Sequence, residues 1–151
     1  MDFHVVLLQT TIVLGTIGLG GGLYEILLID RVWPKLPQLV QPQRGGINRK
    51  LFWIPMHTAY EVALIASLWA NWQTPFARSC ILAALVVHAI SRAWSFVHFI
   101  PAALRFEQAS DLNPSQTAAA WAWTRHSRWR VAIEACAVVA LILALNGRPY
   151  P

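Results

Sequence analysis

Apolar residues fall along this chain in four long runs, not in short alternating stretches. A helix crosses the hydrocarbon core of a bilayer with about 20 residues, in a range of roughly 17–25. Four stretches qualify: about Val5 to Ile29, Leu51 to Trp72, Phe76 to Ile100 and Trp129 to Leu145. In lipid every backbone polar group must be satisfied within the span, which selects helices. The pattern therefore predicts an all-α fold, an integral membrane four-helix bundle, with residues 1–151 as one domain.

The breaks between the runs agree. Pro55 falls in the first turn of the second run, where its missing N–H costs little. Pro101 is expected to end the third run, and Asn146-Gly147 the fourth. Pro34, Pro37 and Pro42 interrupt the first connection, 30–50. The second connection is only Gln73-Thr74-Pro75, and Asp111 to Ser115 breaks the third. Within that third connection, Ala118 to Trp123 is a further helical stretch that leads towards the fourth run.

Composition narrows the class. The chain is 56% hydrophobic and only 13% charged, about half the charged share of a soluble domain. The net charge of +5 is concentrated in connections, where Arg31, Lys35, Arg44, Arg49, Lys50, Arg105, Arg125 and Arg128 would meet anionic headgroups. Membrane lipid is thus the expected partner, and nucleic acid is not. The positive-inside rule places the first and third connections in the cytoplasm and both termini outside it, as in a bacterial inner-membrane protein. The N-terminal run lacks a basic leader and reads as a retained span. Cys80 and Cys136 lie on different runs and form no CxxC pair, so no disulfide framework is expected.

Candidate chemistry comes from ionisable residues inside the apolar runs. Glu25, His57, Glu61, Arg92, His98 and Glu134 all fall in the half of the bilayer next to the basic connections, with His88 nearer the midplane. A charge at that depth costs several kcal/mol. Helical spacing puts His57 and Glu61 on one face. It also aligns His88, Ser91, Arg92, Ser95 and His98 within an arc of about 120°, and pairs Arg130 with Glu134. Tyr24, Trp53, Tyr60, Trp94 and Phe96 are aromatic candidates for the walls of a pocket.

Several readings follow from this cluster. In one, a polar pocket binds a small lipophilic molecule of aromatic or quinone type. His57, Glu61 and Arg92 would be its catalytic group, and Tyr24, Glu25, Trp53, Tyr60, His88, Trp94, Ser95 and Glu134 its ligand-binding residues. In a second, the charges satisfy one another within an accessory subunit of a membrane complex or a homo-oligomer. His98 and Arg130 alone read as residues reaching towards the headgroups. A metal site is a third reading, although His-x-x-x-Glu differs from the Glu-x-x-His of di-iron bundles. Haem held by His57 and His88 is a fourth. The run Gly18-Leu19-Gly20-Gly21-Gly22 lacks the strand and final glycine of a nucleotide loop. Its Gly18 and Gly22 form a small-xxx-small pair that lets helices approach closely.

Four short motifs carry a family resemblance: Leu23-Tyr24-Glu25 after the glycines, Phe52-Trp53-Ile54-Pro55-Met56-His57, Arg92 with Phe99-Ile100-Pro101, and Arg128-Trp129-Arg130. By these the chain resembles the anthrone oxygenase-like group of small four-span membrane proteins over nearly its whole length. The resemblance implies a four-helix bundle. It also implies, as in some fungal members, oxidation of a polycyclic anthrone to a quinone without a cofactor. A base would form an electron-rich enolate that reacts with oxygen. The resemblance casts Glu61 or His57 as that base and Arg92 as the group stabilising the enolate.

Overall fold

A computed structural model describes residues 2–147. It contains α1 (Phe3–Tyr24), α2 (Lys50–Ala70), α3 (Pro75–Trp94), α4 (Ile100–Gln108) and α5 (Pro114–Asn146), and no strand among the described residues. A π turn over Glu25–Ile29 prolongs α1, and another over Ser95–Phe99 joins α3 to α4. Four helical rods are long and apolar enough to cross a membrane: Phe3–Ile29, Lys50–Ala70, Pro75–Gln108 and Pro114–Asn146. The expected all-α four-helix bundle is the observed fold.

The outer faces explain why this is a membrane protein. Val13, Ile17, Val62, Ile65, Val86, Ile90, Val139 and Leu143 all point outward and are exposed. Soluble monomers rarely expose so continuous an apolar surface, whereas lipid tails match it. Inside, α3 packs most extensively on α5, and α1 packs on both α2 and α5. Alanines at Ala77, Ala84, Ala137 and Ala144 are fully buried in the core. Small residues of this kind let membrane helices approach closely. The glycines of α1 do the same. A Cβ on Gly22 would meet Val131 Cγ2 at 2.8 Å, and one on Gly15 would meet Tyr60 Cε2 at 3.0 Å. In contrast, α2 and α3 touch sparsely although a short turn joins them.

Two apolar cores fill the two ends of the bundle. One gathers Leu8, Met56, Tyr60, Leu64, Ile81 and Leu141. The other lies at the end that carries the basic connections and gathers Ile29, Trp33, Val40, Phe99, Phe106 and Trp123. Trp33 is fully buried there, edge-on to Trp123 with ring centroids 5.7 Å apart. The first connection is therefore a plug and not a loose strap. Buried Gln41 fastens it by donating from Nε2 to the carbonyls of Phe106 at 3.0 Å and Ala109 at 2.8 Å.

The helix ends differ from the expected ones in two places. Pro101 does not end the third rod, which runs on to Gln108. In the π turn before it, Ile100 N–H reaches back to the Ser95 carbonyl. That wider turn accommodates the proline ring, which would otherwise collide with the carbonyl four residues earlier. The fourth rod starts at Pro114, well before Trp129. Asn113 and Gln116 form a reciprocal capping box there, and Pro114 suits the first helical position.

Candidate functional site

Between the two cores lies a cavity of about 500 Å³. It brings together Glu25, His57, Glu61, His88, Arg92 and Glu134, one polar stripe from each of the four rods. The helical arithmetic that aligned these residues holds. Trp53, Tyr60, Ser95 and Phe96 also line the cavity, with Gly18, Met56 and Phe99 as further wall. Both π turns border it, the first at Glu25 and the second at Ser95 and Phe99. Such turns occur often at functional sites.

The polar groups are ordered into pairs. Arg92 Nε donates to Glu61 Oε1 at 2.9 Å, as an intramembrane arginine requires. Its guanidinium carbon lies 4.8 Å from the Phe96 ring centroid. Glu25 accepts from Trp53 Nε1 at 2.8 Å and faces Arg49 Nη1 at 3.9 Å. Lys50 Nζ meets Glu107 Oε2 at 2.7 Å at the rim. His88 Nδ1 contacts both Glu134 oxygens, at 2.9 and 3.1 Å. A carboxylate only accepts, so Nδ1 carries a proton and donates to Glu134. Nε2 stands 3.6 Å from Glu61 Oε1, an electrostatic neighbour beyond hydrogen-bond length.

Two atoms in this cavity stand out. His88 is 2% exposed and Tyr60 is 4% exposed. Their rings meet edge-on with centroids 4.8 Å apart. Yet neither His88 Nε2 nor the Tyr60 hydroxyl has a hydrogen-bond partner among the described residues. A buried polar group without a partner costs about 1–3 kcal/mol, which sets these two atoms apart from the paired groups around them.

Some expected site residues lie elsewhere. Tyr24 is 55% exposed and outside the cavity, because one helical residue from Glu25 is a rotation of about 100°. Trp94 packs edge-on to Phe99 against the plug core and does not line the cavity. His57 makes no hydrogen bond with Glu61. It stacks on Trp53 at 22° between planes, with centroids 5.2 Å apart, while Arg92 holds Glu61. His98 is exposed, turned outward by the π turn that interrupts the helical rhythm. Arg130 does not reach out to headgroups but lines the cavity.

Sequence reasoning missed Arg49, Trp123 and Ser127 as wall residues. Arg49 resembles any basic residue of a cytoplasmic connection. Trp123 and Ser127 lie on the part of α5 that the hydropathy pattern assigned to a connection. Just outside the first rod, Asp30 is buried and accepts from Trp33 Nε1 at 3.0 Å. Burial pushes its carboxyl up from 3.8 to about 6, and the nearby charge of Glu25 adds to this. The Trp33 hydrogen bond and the cations Arg49 and Arg130 oppose the rise.

No three His, Cys, Asp or Glu side chains come together as a metal-ligand set among the described residues. Comparison with protein-family models, with curated proteins and with solved structures finds no match to this chain.

Proposed function

We propose that this integral membrane protein binds a small lipophilic molecule of aromatic or quinone type in the cavity between its two cores, and that it acts on that molecule as an oxygenase. The observation that carries the reading is a pair of buried atoms, Tyr60 Oη and His88 Nε2, that have no hydrogen-bond partner among the described residues, in a chamber walled by Trp53, Phe96 and Phe99. A carbonyl or enol oxygen of a flat ligand would accept from the tyrosine and lie beside the imidazole. Pockets of this kind combine apolar walls with a few convergent polar groups.

The acid–base role falls to His88 in this arrangement. Glu134 fixes the ring and its tautomer, which leaves Nε2 as a base facing the cavity. Deprotonation beside a ligand carbonyl gives an enolate, and Tyr60 and the site's guanidinium groups would stabilise its oxygen. The resemblance to anthrone oxygenases supplies the step that follows. The enolate is oxidised by dioxygen, and anthrone plus O2 gives anthraquinone plus water. The basic end of the bundle faces the cytoplasm in this reading, with both termini outside.

The test is to incubate protein in lipid nanodiscs with anthrone and follow oxygen uptake and quinone absorbance. Turnover that survives Trp53→Phe and is lost in His88→Phe supports the reading. Binding without turnover would leave a carrier or sensor. No binding of anthrone or anthraquinone would leave the structural-subunit reading, in which the buried charges only satisfy one another.

A further inference from the structure

One cation of the cavity makes no direct ion pair among the described residues. Arg92 has Glu61, Lys50 has Glu107, and Arg49 faces Glu25. Arg130 has no carboxylate within 4.0 Å among the described residues. Its direct contacts are with neutral groups, while the carboxylates of Glu25, Asp30 and Glu134 act on it from beyond 4.0 Å. Nη1 donates to Ser95 Oγ at 3.3 Å and Nη2 to Ser127 Oγ at 3.1 Å. The Ser95 hydroxyl proton is already committed to the Ser91 carbonyl at 2.8 Å, so its lone pairs face the arginine. The guanidinium carbon lies 4.0 Å from the Phe99 ring centroid and 5.8 Å from that of Trp123. Aromatic faces and hydroxyls steady a cation without neutralising it. The Arg130 Nε is buried and has no partner among the described residues. An arginine in that state has a donor free for an oxygen that enters the cavity.

Its position says where that oxygen would be. Arg130 and Glu134 are one turn apart on α5, and Ser95 and His88 follow the same order on antiparallel α3. The guanidinium, against Ser95, Phe99 and Trp123, thus lies on the plug-core side of the His88–Glu134 couple. From these contacts we propose that the ligand of this cavity is a lipophilic aryl acid. Its aromatic body would occupy the chamber and its one ionised oxygen group, a carboxylate or acidic phenol, would bind Arg130. This names the ligand class within the pocket reading above and rests on it. The guanidinium fork suits a planar oxyanion better than a point charge would.

The experiment compares 2-naphthoate with 2-naphthamide, which share shape but not charge. Binding is measured by calorimetry on the full chain in nanodiscs of zwitterionic lipid, at a pH where the acid is ionised. The protein should bind the carboxylate roughly tenfold or more tightly than the amide, as expected for a charge-assisted contact. Arg130→Met should abolish that preference, and Arg130→Lys should keep part of it. If Arg130→Met does not fold, the preference of the unmodified protein and its reduction in Arg130→Lys still decide the matter. Equal binding of acid and amide would overturn the aryl-acid proposal and leave the pocket standing. Binding of neither would overturn both. Competition by acetate as effective as that by naphthoate would show a site for small free anions, and that too would overturn the proposal.

Discussion

Replacing Asp30 with Asn should stabilise the folded protein at neutral pH. Asp30 is 4% exposed, and its carboxyl is pushed up from 3.8 to about 6. The folded state therefore holds the Asp30 proton more tightly than the unfolded chain. Between the two values the native state binds more protons, so stability falls as pH rises through that window. Above it the full penalty applies. A rise from 3.8 to about 6 corresponds to at most about 3 kcal/mol. Asparagine is neutral at every pH and keeps an oxygen to accept from Trp33 Nε1, so the variant escapes the penalty. The gain should be absent below about pH 4, grow between about pH 4 and 6, and be constant above. Thermal unfolding of both proteins in one detergent across that range is the assay. For a chain of this size each kcal/mol moves Tm by about 2–4 °C. A variant less stable than the parent at neutral pH, or a gain that does not change with pH, would refute the reasoning. Either result would mean that Arg49 and Arg130 hold Asp30 ionised.

Three further outcomes follow from the geometry. Gly22→Ala should cost about 1–3 kcal/mol, because its Cβ would meet Val131 Cγ2 at 2.8 Å, while Gly20→Ala, with nothing within 4 Å, should cost nothing; paired melting curves check both. Tyr60→Phe removes a hydroxyl that has no partner among the described residues, so it should leave stability unchanged or raise it by about 1 kcal/mol. It should nonetheless weaken binding of anthraquinone roughly tenfold; a large loss of stability would show that the hydroxyl is structurally satisfied. Glu61→Gln leaves Arg92 without its carboxylate, and the Glu61 side chain is 41% exposed. The change should therefore destabilise by about 1–2 kcal/mol, between exposed and buried pairs. An unchanged Tm would place that ion pair outside the stability of the bundle.

Much of this architecture is legible in the chain itself. Span length and apolar continuity decide membrane helices almost alone, and they give the four rods. The regular rotation per residue then places Glu25, His57, Glu61, His88, Arg92 and Glu134 around one chamber, because bundle helices turn polar stripes inward. The misses have local causes. Tyr24 and Trp94 are aromatic neighbours of site residues in sequence, but adjacency on a helix means a different face. His98 fits the stripe of α3 only if the rhythm is unbroken, and the π turn at Ser95–Phe99 breaks it. The pairing of Glu61 with Arg92 instead of His57 is a tertiary choice between two geometrically open partners. Trp33, Gln41 and Arg49 are out of reach for a different reason. Nothing in a proline-interrupted basic connection signals that it will fold back as a plug and close one end of the cavity.

The central claim is that an aromatic molecule occupies the chamber between the cores. Gly18 lines that chamber, and a Cβ there would have Met56 Cγ at 3.9 Å as its nearest neighbour, so a cysteine fits without strain. The direct measurement is the rate of maleimide alkylation of Gly18→Cys, in a background where Cys80 and Cys136 are replaced by alanine, with and without anthraquinone. The introduced thiol should react slowly but measurably in the free protein. Saturating anthraquinone should slow it roughly tenfold or more, as occupancy of about nine-tenths requires. Alkylation at the same rate with and without the ligand, in protein that remains folded, would contradict the claim.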